Sequence, residues 1–148
     1  MADLARSFLV LGLLIATVPS LGHALLSRKP KTSVEIQNVL EGRDDLTIHC
    51  KSKDDDLGVQ YLKPRENFSF RFRPNIFGTT LFFCSFAWKG GVCRWFDIYE
   101  HDRDEHCTKC TWQIFKEGPC RFTVDDYDYG GEHGVVDELC YDWNPDRC

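Results

Sequence analysis

The chain has 148 residues, eight cysteines and a formal net charge of −5. A protein this acidic, with no long basic run, is a poor partner for nucleic acid or for an anionic membrane surface. Its length suits one domain that buries roughly two-thirds of the surface its unfolded chain exposes.

The first segment is a targeting signal. Met1–Arg6 is short with a single basic residue, Phe8–Val18 is an unbroken apolar run, and Pro19 and Ser20 end it. Gly22 and Ala24 put small residues where a signal peptidase reads them. This predicts a secretory signal peptide over residues 1–24 and one mature domain over residues 25–148. A membrane span needs about 20 apolar residues, so the run is too short to anchor the chain, and no later segment comes closer. No membrane insertion is expected.

All the cysteines (Cys50, Cys84, Cys93, Cys107, Cys110, Cys120, Cys140 and Cys148) lie in the mature part. In an oxidising compartment they form a disulfide framework. Eight cysteines allow 105 connectivities, and spacing does not choose among them.

In the mature part, residues 25–32 are basic, contain Pro30 and read as a loose lead-in. Ser33–Leu40 alternates, with Val34, Ile36 and Asn38 on one face, and Glu41–Asp45 turns the chain. Leu46, Ile48 and Cys50 then point one way and Thr47, His49 and Lys51 the other, the pattern of a half-buried strand with a cysteine on its core side. The polar corner that follows is closed by Leu57-Gly58, read as a turn in which Gly58 frees φ. A short strand through Val59, Tyr61 and Leu62 stops at Pro64.

Glu66–Arg73 carries the clearest period of two: Phe68, Phe70 and Phe72 on one face, Asn67, Ser69, Arg71 and Arg73 on the other. Pro74-Asn75 and Phe77-Gly78 punctuate it. Thr79–Trp88 is apolar on both faces, as a central strand would be, and Gly90-Gly91 marks a hairpin. Val92–Glu100 returns, with Trp95 and Tyr99 on one face and Phe96 and Ile98 divided between the two. His101–Lys109 reads as a polar loop. Thr111–Lys116 and Cys120–Val124 form a strand pair, Asp125–Asp137 a long acidic loop, and Glu138–Trp143 a closing strand. About seven to nine short strands without a helical period predict an all-β, antiparallel, disulfide-stapled β-sandwich.

Five stretches, in order, carry a family resemblance: Ile48–Gly58, Phe68–Phe72, Thr80–Cys84, Trp95–Tyr99 and Cys140–Asn144. Together they resemble the plant self-incompatibility S1 family, the S-protein homologues, over nearly all of the mature chain. The resemblance implies a small secreted β-sandwich of a family first known for stigma-side determinants that reject self pollen. It also suggests a bridge from Cys50 in an early strand to Cys140 in the last. Cys84 would then bond to Cys110 of the Cys107–Cys110 loop. Cys93 and Cys148 look like additions to the common pattern.

Candidate sites are weighed against plainer readings. Cys107-Thr108-Lys109-Cys110 has redox-motif spacing, but it runs into a strand and lacks the helix N-terminus that lowers a thiol pKa. His101, His106, Cys107 and Cys110 can be written as a zinc set, which the secreted context disfavours. Asp126, Asp128, Gly131 and Asp137 match part of a calcium-loop template, yet no helices flank them. His49 faces outward with no nucleophile or base apparent beside it in sequence. No catalytic constellation, cofactor site or metal site is therefore assigned, and no enzyme is predicted. Asn67-Phe68-Ser69 is an N-glycosylation sequon on the polar face of its strand.

Three classes of function remain. The first is a secreted ligand recognised by a cell-surface protein receptor, with the exposed corner Lys51, Ser52, Lys53, Asp54, Asp55 and Asp56 as the candidate recognition loop and the Asp125–Asp137 loop as a second candidate. The second is a defence or inhibitor protein that binds a secreted enzyme or a wall carbohydrate. Trp88, Trp95 and Trp143 could serve the sugar, although aromatics at strand spacing more often fill a core. The third is a hydrolase or redox enzyme, for which the sequence offers no site.

Overall fold

The computed structural model describes residues 29–90, 92–124, 136–145 and 148. Among these residues nine strands divide between two sheets: β1 Thr32–Asn38, β2 Leu46–Lys51, β3 Asp56–Leu62, β4 Asn67–Phe72, β5 Leu81–Trp88, β6 Val92–Glu100, β7 Lys109–Ile114, β8 Pro119–Val124 and β9 Val136–Cys140. One helical turn, α1 His101–Asp104, follows β6. The five-stranded sheet runs β4-β1-β7-β8-β9 and the four-stranded sheet β3-β2-β5-β6. The all-β sandwich read from alternation is the fold observed.

Period-two burial builds the core between the sheets. Val34, Ile36, Trp112 and Ile114 face inward from the larger sheet, and Leu46, Ile48, Phe86 and Ile98 from the smaller, all at 0% exposure. The β4 phenylalanines close one side, with Phe72 ring centroids 4.6 Å from Phe82 and 4.7 Å from Tyr99. Aromatic burial of this kind dominates the energetics of a small core.

Several details differ from the sequence reading. β1 pairs with β7 in parallel, Val34 opposite Cys110 and Ile36 opposite Trp112, whereas every other strand pair is antiparallel. Between β1 and β7 the chain crosses to the other sheet and back twice, so the two strands need not be hairpin partners. Gly58 lies inside β3 rather than closing a turn before it. Its positive φ of 71° accompanies a register shift against β2 between His49 and Lys51, a β-bulge in the ladder. In β6, Phe96 and Ile98 share the core face, and Tyr99 joins them in the core across a register shift against β5, leaving Trp95 on the outer side. The polar segment after β6 contains α1, which buries His101 and Asp104. The last strand is Val136–Cys140, displaced from the Glu138–Trp143 of the sequence reading.

The bridges also correct the expected pairing. Cys50 is bonded to Cys84, Cys120 to Cys140, Cys93 to Cys148, and Cys107 to Cys110. Cys50 faces Cys84 directly across β2 and β5, and Cys120 faces Cys140 across β8 and β9, each pair with Cα atoms 4.0 Å apart. Neither the Cys50–Cys140 nor the Cys84–Cys110 link forms, because Cys50–Cys84 and Cys120–Cys140 take those cysteines up within their own sheets. These two bridges staple neighbouring strands, and the packed core carries the contact between sheets.

Candidate functional site

The predicted recognition loop divides into residues that hold its shape and residues that it displays. The Ser52 hydroxyl accepts the Asp54 and Asp55 amides at 3.3 and 3.0 Å, and the Ser52 amide reaches the Asp55 carbonyl at 2.8 Å. Asp56 closes the corner. Its carboxylate meets His49 Nε2 at 2.6 Å, the Gly58 amide at 2.9 Å and Lys51 Nζ at 3.1 Å. The His49 hydrogen bond, then those from Gly58 and Lys51, hold the Asp56 carboxyl well below the usual carboxylate range. His49 thus has a partner that the sequence did not reveal, brought to it by the β3 bulge. Lys53, Asp54 and Asp55 are left exposed.

A second loop, between β4 and β5, stands beside this corner. Asn75 organises it: Oδ1 accepts the Phe77 and Thr79 amides at 3.1 and 3.0 Å, and Nδ2 donates to Thr79 Oγ1 at 2.6 Å. The Asn75 amide donates to Thr80 Oγ1 at 2.8 Å. Gly78 takes φ +70° directly against the His101 ring, where a Cβ would come within 2.9 Å of Cδ2. Only glycine fits that backbone. The result is a fixed tip on which Ile76 is 62% and Phe77 83% exposed. Between this tip and the acidic corner lies a cleft of about 490 Å³ lined by Asp54, Asp55, Arg73, Thr79 and Phe83.

Sequence reasoning took Phe77-Gly78 as punctuation and missed the tip. The available signal was an asparagine that makes Asx turns, followed by two large apolar residues and a glycine, where turn residues are usually polar.

The other candidates fall elsewhere. Asn67 opens edge strand β4 and is exposed. Cys107 and Cys110 are bonded to each other beside α1, and the nearby His101 Nε2 meets Lys29 Nζ at 3.2 Å. His106 is exposed. Asp126, Asp128 and Gly131, and most of the Asp125–Asp137 loop, lie outside the described residues. The three tryptophans do not share a surface: Trp88 and Trp143 pack together against the core with centroids 5.9 Å apart, and Trp95 sits on the outer face of the smaller sheet. Among the described residues no helix is long and apolar enough to cross a membrane.

Comparison with known proteins bears on this arrangement. A sequence profile described as "Plant self-incompatibility protein S1" matches residues 33–143. S-protein homolog 4 of Arabidopsis thaliana is 46% identical over 124 residues, 79% of this chain and 75% of that protein. S-protein homolog 29 of the same plant is 37% identical over 145 residues, 97% of this chain and all of the relative. A solved structure described as "SPH (Self-Incompatibility Protein Homologue) proteins, a widespread family of small, highly stable, secreted proteins from plants" superposes with a TM-score of 0.51 at 18% identity, over 79% of this chain and 96% of that one. This last likeness concerns the fold.

Proposed function

The chain belongs to the plant self-incompatibility protein S1 family, and from that premise we propose that it is a secreted, non-enzymatic plant ligand read by a cell-surface protein. The observation that carries this reading is the fixed loop end. Rigid exposed aromatics make binding hot spots because ordering them costs little at the moment of contact. Phe77 and Ile76 project from a loop already tied by Asn75, and Asp54 and Asp55 stand across the cleft to set orientation by charge.

Saturable binding of the labelled mature protein to intact plant cells tests this. Phe77→Ala is expected to weaken it by about tenfold or more, the ordinary loss at a hot spot. The variant's unfolding midpoint should stay unchanged, because the side chain touches water rather than core. Non-saturable uptake, or equal binding by Phe77→Ala, would remove the loop end from the proposal.

The mature domain begins at Leu25 and carries a glycan on Asn67. β4 presents Asn67 outward, away from Phe68, so a sugar would project without disturbing the core. Intact-mass measurement of plant-secreted protein should show a chain starting at Leu25 plus one N-glycan, and Asn67→Gln should remove the glycan alone. Retention of Phe8–Val18 would refute secretion by cleavage, and an unmodified mass would refute occupancy.

A further inference from the structure

Outward positions of a sandwich are ordinarily polar, and one patch here sets large apolar side chains among the polar ones. On the outer face of the four-stranded sheet, register places two rows side by side across β2, β5 and β6. The first is His49, Ser85 and Trp95; the second is Lys51, Phe83 and Asp97. Leu81, 41% exposed, and Cys148 wall them, and the floor forms a hollow of about 570 Å³. Phe83 is itself 39% exposed. That volume is in the range of about 300–1,000 Å³ typical of small-ligand sites, as is the mixture of an apolar floor with a few convergent polar groups.

We propose that this hollow binds a neutral oligosaccharide, with Trp95 and Phe83 carrying sugar faces and His49, Ser85 and Asp97 meeting hydroxyls. Three features favour that ligand class. Neighbouring strands are about 4.8 Å apart, close to the length of one pyranose unit, so a sugar chain lying across the strands meets one residue of a row with each ring. Aromatic faces take the C–H face of a sugar, and the polar residues in the rows supply donors and acceptors beside them. Charge selects against acidic sugars, because Lys51 and His49 are both engaged by Asp56 and Asp97 adds a carboxylate. Burial raises the Asp97 pKa, with Arg103 and Asn144 opposing the shift, as expected for a carboxylate partly withdrawn from water. The site is separate from the Phe77 tip and stands whether or not the receptor reading holds.

The test titrates the mature protein with cellohexaose, xylohexaose and mannohexaose, and with hexagalacturonate as the acidic counterpart, following tryptophan emission and heat. Saturable binding of at least one neutral hexaose is expected. It should weaken about tenfold or more in Trp95→Ala, a loss of about 1.4 kcal/mol, and severalfold in Asp97→Asn, which keeps the packing if Trp95→Ala folds poorly. Phe77→Ala should bind the hexaose as the parent does while losing cell binding, which separates the two sites. No saturable neutral hexaose, tighter binding of hexagalacturonate, or binding indifferent to both hollow variants would overturn the proposal. So would a dimer that Trp95→Ala converts to monomer without any effect of sugar, since the face would then be covered by a second copy.

Discussion

Asp104→Ala is expected to destabilise the protein by about 3–5 kcal/mol, the usual cost of removing one partner from a buried charge cluster. The Asp104 side chain is completely buried. Its carboxylate accepts the Glu100 amide at 3.0 Å, Arg103 Nη2 at 2.6 Å and Nε at 3.1 Å, and a further bond from Arg121. Arg103 also donates to the Asp97 carbonyl at 2.6 Å and lies 5.0–5.2 Å from the ring centroids of Phe96, Trp112 and Tyr141. One carboxylate thus joins the end of β6 in one sheet to β8 in the other. Deleting it leaves two guanidinium groups, 19% and 11% exposed, without their counter-charge. Asp102 is exposed in the same helical turn, and Asp102→Ala should change stability by no more than about 0.5 kcal/mol. Urea unfolding measures both. An Asp104→Ala variant within 1 kcal/mol of the parent would mean that water, not Asp104, satisfies the arginines.

The core was readable because a strand's side-chain period is two. Val34 with Ile36, Leu46 with Ile48, and the three β4 phenylalanines all occupy the faces their alternation assigns. Whatever depends on contacts between distant segments was not readable. His101–Asp104 reads as a polar loop because nothing in its local pattern shows that Arg121, 17 residues beyond Asp104, arrives to neutralise it. Gly58 reads as a turn because a positive φ inside a bulged strand leaves the same mark in sequence. The exposure of the Lys51–Asp56 corner is legible in its run of polar residues. Its division into Ser52 and Asp56, which hold the loop, and Lys53 and Asp54, which are displayed, follows from hydrogen bonds, of which the Asp56–His49 contact closes only once β3 pairs with β2. The Phe77 tip is not legible because Phe77-Gly78 reads only as turn punctuation, and it is the Asn75 bonds that fix the exposed pair in place.

Pairing of the cysteines was the largest miss, and it carries the second large effect. Removing the Cys50–Cys84 bridge as the double substitution Cys50→Ala/Cys84→Ala is expected to cost roughly 4–5 kcal/mol. On the chain-entropy account a loop with a sequence separation of 34 contributes about 4 kcal/mol. Both sulfurs are at 0% exposure in the core, so their loss adds a packing deficit. Cys93–Cys148 closes a longer separation of 55, worth slightly more in loop entropy, but Cys148 is exposed and lacks the packing part. Packing therefore decides the order: Cys50→Ala/Cys84→Ala should unfold at lower denaturant than Cys93→Ala/Cys148→Ala. Cys107→Ala/Cys110→Ala, with a separation of 3, should cost least of the three. A loss of 4–5 kcal/mol is a large share of the 5–15 kcal/mol that holds a typical domain, so secretion of the first variant should fall as well. Guanidinium unfolding ranks the variants, and proteolysis of unreduced protein reads the linkages directly. A peptide joining Cys50 to Cys140 would overturn the β2–β5 register, because Cys84 could not then face a bonded partner across it. Equal unfolding midpoints for the first two variants would show that loop closure alone, without the buried sulfur contacts, sets what each bridge contributes.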